Sequence, residues 1–539
     1  MKIPKNLDDR EYFYLDLIRK CQTSRESRRG DYQSLRAFYL FGSSPDEAPA
    51  LYNKIYPHTD QLVSFLYSAD STRFTVDLGS SAPITEHTKI PKLSQALNEE
   101  WTNSNADRVF ETAVTWGLVY DSAFVKLIVH NGTINPYFVN PCDFGVLRED
   151  IPYTDRQEAF CHWYYISKSD LYARLYSHPN REALVKRTQK VAHEPQYTPN
   201  GVDRIVMSAI NPTIYGNVNL DLYGQNRMKA KVEEETVEMC ELYVWNDEIQ
   251  DYQVVTRADP DVIIYDRCNA ELFLKGESPF IQVSPNPLPD YYWGQSEVSR
   301  LIYLQQMRNK RMSEIMELLA KQVNPPTLMS GFTGILDEKD FALNRPGGLL
   351  SSDMPNVKAD RLAPTIPQDL YAQLDQIDRM FEEASGISNV LSGKGESGVR
   401  SAGHASQLAR LGSSRAKKRA LVIEDALEKM ATLYLKLMQA YDNTHFKDEN
   451  GTPFIAEQFT KNFIVKVDAH SNSPIFMEDM RSLAFNMFKA GAIDKESLID
   501  LLDPPMKQML KERLKKNEQK AAAGGGAPPP GGPKEKKHG

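Results

Sequence analysis

Residues 386–404 of this chain, GISNVLSGKGESGVRSAGH, hold the residue types and spacing that come nearest to a reactive site, because Gly393, Gly395 and Gly398 fit G-x-G-x-x-G. In that pattern bare backbone can approach a pyrophosphate at a helix N-terminus. A dinucleotide cradle needs a buried strand running into its first glycine. Here Gln368 to Ala384 carries Leu370, Leu374, Ile377 and Phe381 at helical spacing instead. A P-loop needs Ser or Thr after Gly-Lys to hold magnesium, but Lys394 is followed by Gly395, and Gly386 lies too far upstream. Neither phosphate chemistry fits the flanks, and no cofactor is expected.

Other reactive arrangements are equally incomplete. There is no HExxH or GxSxG, and the 10 histidines are scattered. His162, between Cys161 and Trp163, lacks an orienting acid and reads as a packed residue rather than part of a nucleophile site. Asp259 and Asp261 flank Pro260 and read as turn formers, not metal ligands. The 5 cysteines are odd in number and never in CxxC spacing, which points to a reducing compartment, core positions and no zinc cage. No catalytic or metal-binding residue is therefore predicted. A net charge of −8 argues against a dedicated tight nucleic-acid binder while leaving room for local basic patches. The N-terminus lacks the apolar run of a secretion signal and no apolar stretch is long enough to span a bilayer, so a cytosolic, membrane-free protein is expected.

The elements that must position these residues follow from periodicity. With 539 residues, 41% of them hydrophobic, the chain can build two or more cores, or one body with long protrusions. Two helices are predicted over residues 9–42, with a polar break at Arg25 to Gly30, and one amphipathic segment from Lys92 to Leu118. Strands are predicted on both sides of Asn131-Gly132, a type I′ hairpin pair, and at Thr236 to Trp245, Tyr252 to Thr256 and Val262 to Tyr265. After Pro285, Pro287 and Pro289, Ser296 caps a helix of about 28 residues, some 40 Å long, which Pro325-Pro326 ends. A Pro/Gly-rich insertion over 324–366, a returning helix at about 367–385, the glycine loop and a long helix to Tyr441 come next, with Gly412-Ser413-Ser414 as a kink. A strand at Phe463 to Val467 precedes three small helices, at Ile475 to Lys489, Lys495 to Leu502 and Pro505 to Lys516. The Ala/Gly/Pro/Lys-rich residues 519–539 form a disordered basic tail.

The order of these parts resembles the portal protein of a tailed bacteriophage over nearly the whole chain. The pieces that carry the resemblance are Gly294-Gln295-Ser296 at the first long helix, then Ala384-Ser385-Gly386-Ile387-Ser388 through Leu391-Ser392-Gly393, and a Ser/Ala-rich entry to the next helix. The resemblance implies an α+β, predominantly helical subunit that assembles into a ring, usually a dodecamer, around a channel for double-stranded DNA. It maps the wing to 1–293, the stem to 294–323 and 367–385, the clip to 324–366, the tunnel loop to 386–404, a long wing helix to 405–441 and the crown to 442–518. It implies a place at one capsid vertex of the virion after synthesis in the host cytoplasm. The implied partners are the terminase large subunit, head-tail adaptor or tail proteins, and major capsid and scaffolding proteins. It implies no enzymatic activity.

Placed in that frame, Gly386, Gly393, Lys394, Gly395, Gly398, Arg400 and His404 would line the channel, the glycines letting many copies crowd an axis and the cations facing phosphates. Arg300, Arg308 and Arg311 fall within about 80° of one another on the first long helix and are candidate DNA or intersubunit contacts. Arg410, Arg415, Lys417, Lys418 and Arg419 spread around the next helix and are candidates for the same contacts or for a solvated face. Asp375 and Asp378, with Glu382 and Glu383 near, read as an acidic face, solvated or shared between subunits. Two other classes stay open: a nucleotide-dependent phosphotransferase or nuclease using the glycine loop, and a capsid or baseplate protein without a DNA channel.

Overall fold

The computed structural model describes residues 1–45, 47, 49–67, 72–78, 90–130, 133–176, 178, 180–187, 236–258, 262–323, 325, 327–330, 358–361, 365–385, 414–441, 463–467, 483–502 and 513–514. The chain divides into two units, Met1–Asp468 and Ala469–Gly539. Helix and sheet are mixed throughout the first, as expected.

The two N-terminal helices are α1 (Leu7–Ser27) and α2 (Arg29–Phe41), and Arg28 serves as C-cap of one and N-cap of the other. Helix α1 buries Tyr14, Leu17, Ile18 and Cys21 with Cys161, Trp163, Cys240 and Leu242 of a sheet. Helix α2 stops at Gly42, whose φ of +66° is a left-handed value that glycine adopts without strain. Helix α3 (Ile55–Leu66) and strand β1 (Phe74–Leu78) follow.

Residues 92–118, expected to form one helix, form two: α4 (Ile90–Asn103) and α5 (Ala106–Val119). The break falls at Asn105, which takes φ 54°, a conformation asparagine tolerates better than other side chains. Trp101 and Phe110 stay buried on either side of it, so the apolar spacing runs on while the backbone does not.

The expected hairpin is β2 (Ala123–His130) and β3 (Thr133–Val139), closing at His130↔Thr133, with Asn131 and Gly132 themselves outside the described residues. Strand β4 (Phe144–Val146), β5 (Ala159–Ser167), β6 (Thr236–Asn246), β7 (Asp251–Ala258) and β8 (Val262–Cys268) form a second antiparallel sheet in that order. Short helices α6 (Lys168–Arg174), α7 (Arg181–Arg187) and α8 (Asn269–Leu272) flank it, and β9 (Phe280–Val283) joins β2. The two sheets share an aromatic core of Phe124, Phe144, Phe160, Tyr243, Tyr252, Phe280, Tyr292 and Trp293. The Phe124 and Phe144 rings stack 4.1 Å apart.

Two long helices then pair, α9 (Glu297–Val323) and α10 (Gln368–Ser385). Between them β10 (Thr327–Ser330) and β11 (Lys358–Arg361) pair antiparallel, Thr327↔Arg361, at the base of the insertion. Helix α11 (Ser414–Tyr441) packs against α3, α4, β9 and a last strand, β12 (Phe463–Val467). The Gly412–Ser413 part of the expected kink lies outside the described residues.

Strand β12 forms where a strand was expected, at Phe463–Val467. It zips onto β1 through the register Phe74↔Val467 to Leu78↔Phe463, inside the first unit. The reason is apolar: Val465 and Val467 are buried, as are Phe74 and Val76. In the second unit residues 483–489 and Lys495–Leu502 are helical, separated by Gly491 at φ +73°, and the rest of the three expected helices lies outside the described residues or in the fragment 513–514.

Candidate functional site around the paired helices

The entry to α9 is built from a strand end, a turn and a cap. Gly294 sits where a Cβ would meet Ser284 Oγ at 2.3 Å, the Asp121 carbonyl at 2.7 Å and the Asn286 carbonyl at 2.8 Å, so only glycine fits. Ser296 caps the helix as expected, its Oγ accepting from the Ser299 N–H at 3.1 Å while donating to the Val119 carbonyl. Glu297, in the first turn where the helix dipole favours a carboxylate, is fully buried. Arg419 of α11 places Nη2 2.9 Å from Glu297 Oε2 and donates from Nε to Asn286 Oδ1 at 2.9 Å.

About two turns further, α9 is bolted to the α2–α3 connection. Gln305 accepts from the Lys54 N–H at 3.1 Å and donates to the Tyr52 carbonyl at 3.0 Å and to Asn309 Oδ1 at 2.8 Å. Asn309 in turn donates to the Gly42 carbonyl at 2.7 Å. Asp378 of α10 takes Lys54 Nζ at 2.7 Å and Arg308 Nε at 3.2 Å, joining both long helices to the body. Beneath this polar row, Val298, Leu301, Ile377 and Phe381 pack with Tyr32, Leu35, Phe38 and Ile55. Farther along, Tyr303, Met316, Val323, Tyr371 and Met380 are exposed.

The turn before α9 rests on the α1–α2 elbow. The Arg28 guanidinium lies over the Trp293 ring at 3.1 Å, and Trp293 Nε1 donates to Glu149 Oε1 at 3.1 Å. Tyr32 donates to Asp121 at 3.0 Å. Burial pushes the Asp121 carboxyl up to about 7, against the opposing pull of Arg28. Burial does the same to Asp143, also to about 7, despite Arg25. The folded protein then holds protons that the unfolded chain releases near 3.8. The stability Asp121 contributes is complete below about pH 4 and is lost as pH rises toward 7, at up to about 1.4 kcal/mol per pH unit. Asp121→Asn, which cannot titrate, is expected to flatten the fall in melting temperature between pH 5 and pH 7.5, measured against the parent protein at each pH.

Several candidate residues prove to be engaged inside the subunit. Arg300 meets Glu297 at 3.4 Å and the Gln295 side chain, Arg308 meets Asp378, and Arg311 meets Glu314. Arg300 and Arg311 each keep about a third of their side chain exposed beside these intrachain partners. Asp378, about a third exposed, pairs with Lys54 and Arg308 of its own subunit. Arg419 departs furthest from expectation: it is buried against Glu297, while its neighbour Lys418 is exposed. Arg415 and Lys417 lie in the first turn of α11. Gly386, Gly393, Lys394, Gly395, Gly398, Arg400, His404 and Arg410 lie outside the described residues. His162 is core, its pKa held down to about 3 by burial and then by Lys126, which pairs with Glu241. Cys21, Cys161 and Cys240 are buried free thiols. Among the described residues no cluster of three or more His, Cys, Asp or Glu is placed to hold a metal, and no helix is long and apolar enough to cross a membrane.

Glu297, Gln305, Asn309, Lys54, Asn286 and Trp293 were not singled out from sequence. Gln305 carried a signal, since it continues the apolar row Val298, Leu301 at the i+4 position, where a polar residue needs a buried partner. Glu297 looked like any acid in a first helical turn, and nothing local distinguishes it.

Set beside known proteins, residues 73–450 match the model of a family described as "Phage SU10 portal protein". No curated protein matches the chain. Among solved structures, a chain of "Virion of native gene transfer agent (GTA) particle" is 10% identical, with 88% of this chain and 94% of that one covered and a TM-score of 0.42. A chain of "Neck of empty GTA particle computed with C6 symmetry" is 9% identical, with the same coverage and TM-score. The span matched by the family runs from β1 through the capped entry to α9, both paired helices, the glycine loop and α11, and the chain belongs to the Phage SU10 portal protein family.

Proposed function

We propose that this chain is the subunit of a ring, a dodecamer, whose central channel passes double-stranded DNA into and out of a phage head at one capsid vertex. Membership of the portal family over residues 73–450 carries the reading. Helices α9 and α10 are the stem, 324–366 the clip and 386–404 the tunnel loop. The wing is 1–293 with the helix of 405–441 and the strand 463–467, and the crown is the remainder of 442–518. Exposed Tyr303, Met316, Val323, Tyr371 and Met380 leave apolar side chains on the stem for neighbouring copies to cover. Gly386, Gly393, Lys394, Gly395, Gly398, Arg400 and His404 face the channel. The clip docks the terminase large subunit during packaging and then head-tail adaptor or tail proteins, and the body contacts major capsid and scaffolding proteins. The subunit acts as a conduit and platform and turns over no nucleotide itself.

The charge balance suits a conduit. Each phosphate neutralised adds counterion-release affinity, and many such contacts would clamp the duplex. A protein of net charge −8 with sparse cations at its lumen can touch phosphates without holding them, and without reading bases. Electron microscopy and static light scattering of the purified full chain test the reading. The expected result is a closed ring with an axial hole of about 20 to 40 Å, wide enough for a duplex. A monomer, or a closed lattice without an axial hole, would overturn it.

A further inference from the structure

The first turn of α9, just after the cap at Ser296, lies against the second turn of α11. Glu297 opens the excursion and Arg419 closes it, 122 positions later, in a buried ion pair at 2.9 Å. Between them lie α9, the insertion, α10 and the glycine loop. Asn286 touches both partners, donating to Glu297 Oε2 at 3.4 Å and accepting from Arg419 Nε at 2.9 Å. Arg300 adds a second guanidinium to the same carboxylate at 3.4 Å.

An ion pair with 7% and 0% of its side chains exposed is a poor way to gain stability, because desolvating two charges offsets most of their attraction. Its geometric demand is what distinguishes it. Apolar side chains can slide past one another by an ångström at small cost, whereas the same slide here would leave a charge buried and unpaired. Among the described residues, the apolar cluster that takes Val298 and Leu301 is completed by α2, α3, α5, Tyr120 and α10, with none from α11. His58 of α3 has its pKa pushed down to about 4 by burial and then by Arg419, so it is uncharged at neutral pH and competes with neither partner.

We infer that Glu297 and Arg419 form a clasp that fixes the two ends of the 297–419 excursion against each other and so positions the helix entries on both sides of the insertion and the glycine loop. They are positioning residues. The clasp is defined within one subunit and stands whether or not the excursion lines a channel.

Hydrogen–deuterium exchange on the full chain tests it. In Glu297→Gln and in Arg419→Met, amides of 297–303 and 414–423 are expected to exchange at least tenfold faster, while those of β5, β6 and β7 keep their protection. Arg419→Lys, which retains the charge, is expected to recover part of the protection. The double variant Glu297→Gln/Arg419→Met leaves no lone buried charge, so it reports the same local loss if either single variant fails to fold. Unchanged exchange at both helix entries, a rise spread evenly over residues 1–468, or Arg419→Lys behaving like Arg419→Met would each overturn the clasp. A local rise in a protein that forms no ring would overturn the channel reading alone.

Discussion

Gly294→Ala is expected to be among the most damaging single substitutions in this chain, costing about 3 kcal/mol or more, the upper end of what overpacking costs. The added methyl would meet three oxygens at once, and two are backbone carbonyls with other duties. The Asp121 carbonyl accepts from Ser284 Oγ at 3.0 Å, and the Asn286 carbonyl accepts from the Gln295 N–H at 2.9 Å. Neither can retreat without giving up a hydrogen bond. The strain would fall on the Ser296 cap and on Glu297, so α9 would enter at the wrong angle even if the wing still folded. Gly30→Ala is the matched control: its site lies in α2 with nothing within 4 Å of the new atom. Alanine there is expected to raise stability by about 0.5 to 1 kcal/mol through helix propensity. Thermal melting and soluble yield of the two variants, side by side, check both signs. A Gly294→Ala protein that melts with the parent would mean the turn has room that the geometry denies.

The second large effect is functional. Deleting residues 393–398 removes Gly393, Gly395 and Gly398 together with Lys394. Under the proposed function this shortens a constriction repeated once per subunit around the axis, so each deletion is multiplied by the ring. Rings are expected to assemble, because the clasp, the Asp378 node and the exposed apolar side chains of the stem all lie outside the deleted span. Packaging or retention of DNA is expected to fall by an order of magnitude or more. Assembled heads that package normally with the shortened loop would remove 386–404 from the channel.

What could be read from sequence was local. The Ser296 cap, the prolines after Val323 and the two-residue hairpin connection are signals spanning a few residues, and each matches the element found. The break at Asn105 was hidden because α4 and α5 bury the same kind of face, so the period continues through the change of direction. Strand β5 was hidden because AFCHWYYIS is buried along most of both faces and shows no alternation. The internal partners of Arg300, Arg308 and Arg419 were out of reach for a different reason. A charged side chain on a helix declares its angle but not what it faces, and the carboxylate that answers Arg419 lies 122 positions away. The order of parts carried the family, while the side chains that pin those parts together came only from three-dimensional placement.

The pairing of β1 with β12 has a consequence for how the protein is made. Asp77 and Lys466, which meet across that strand pair, are 389 residues apart. At ordinary elongation speeds of about 5 to 20 residues per second, the first strand waits roughly 20 to 80 s on the ribosome for its partner. Phe74 and Trp101, which meet edge-to-face at 4.6 Å, and Trp101 with Tyr434 at 5.2 Å, belong to the same late-closing corner. Nascent chains must keep that apolar edge exposed until nearly the whole first unit has been translated. Truncated products ending before residue 463 would therefore be left with an open edge, a fault that chaperones and proteases can recognise before any subunit is committed to a partner.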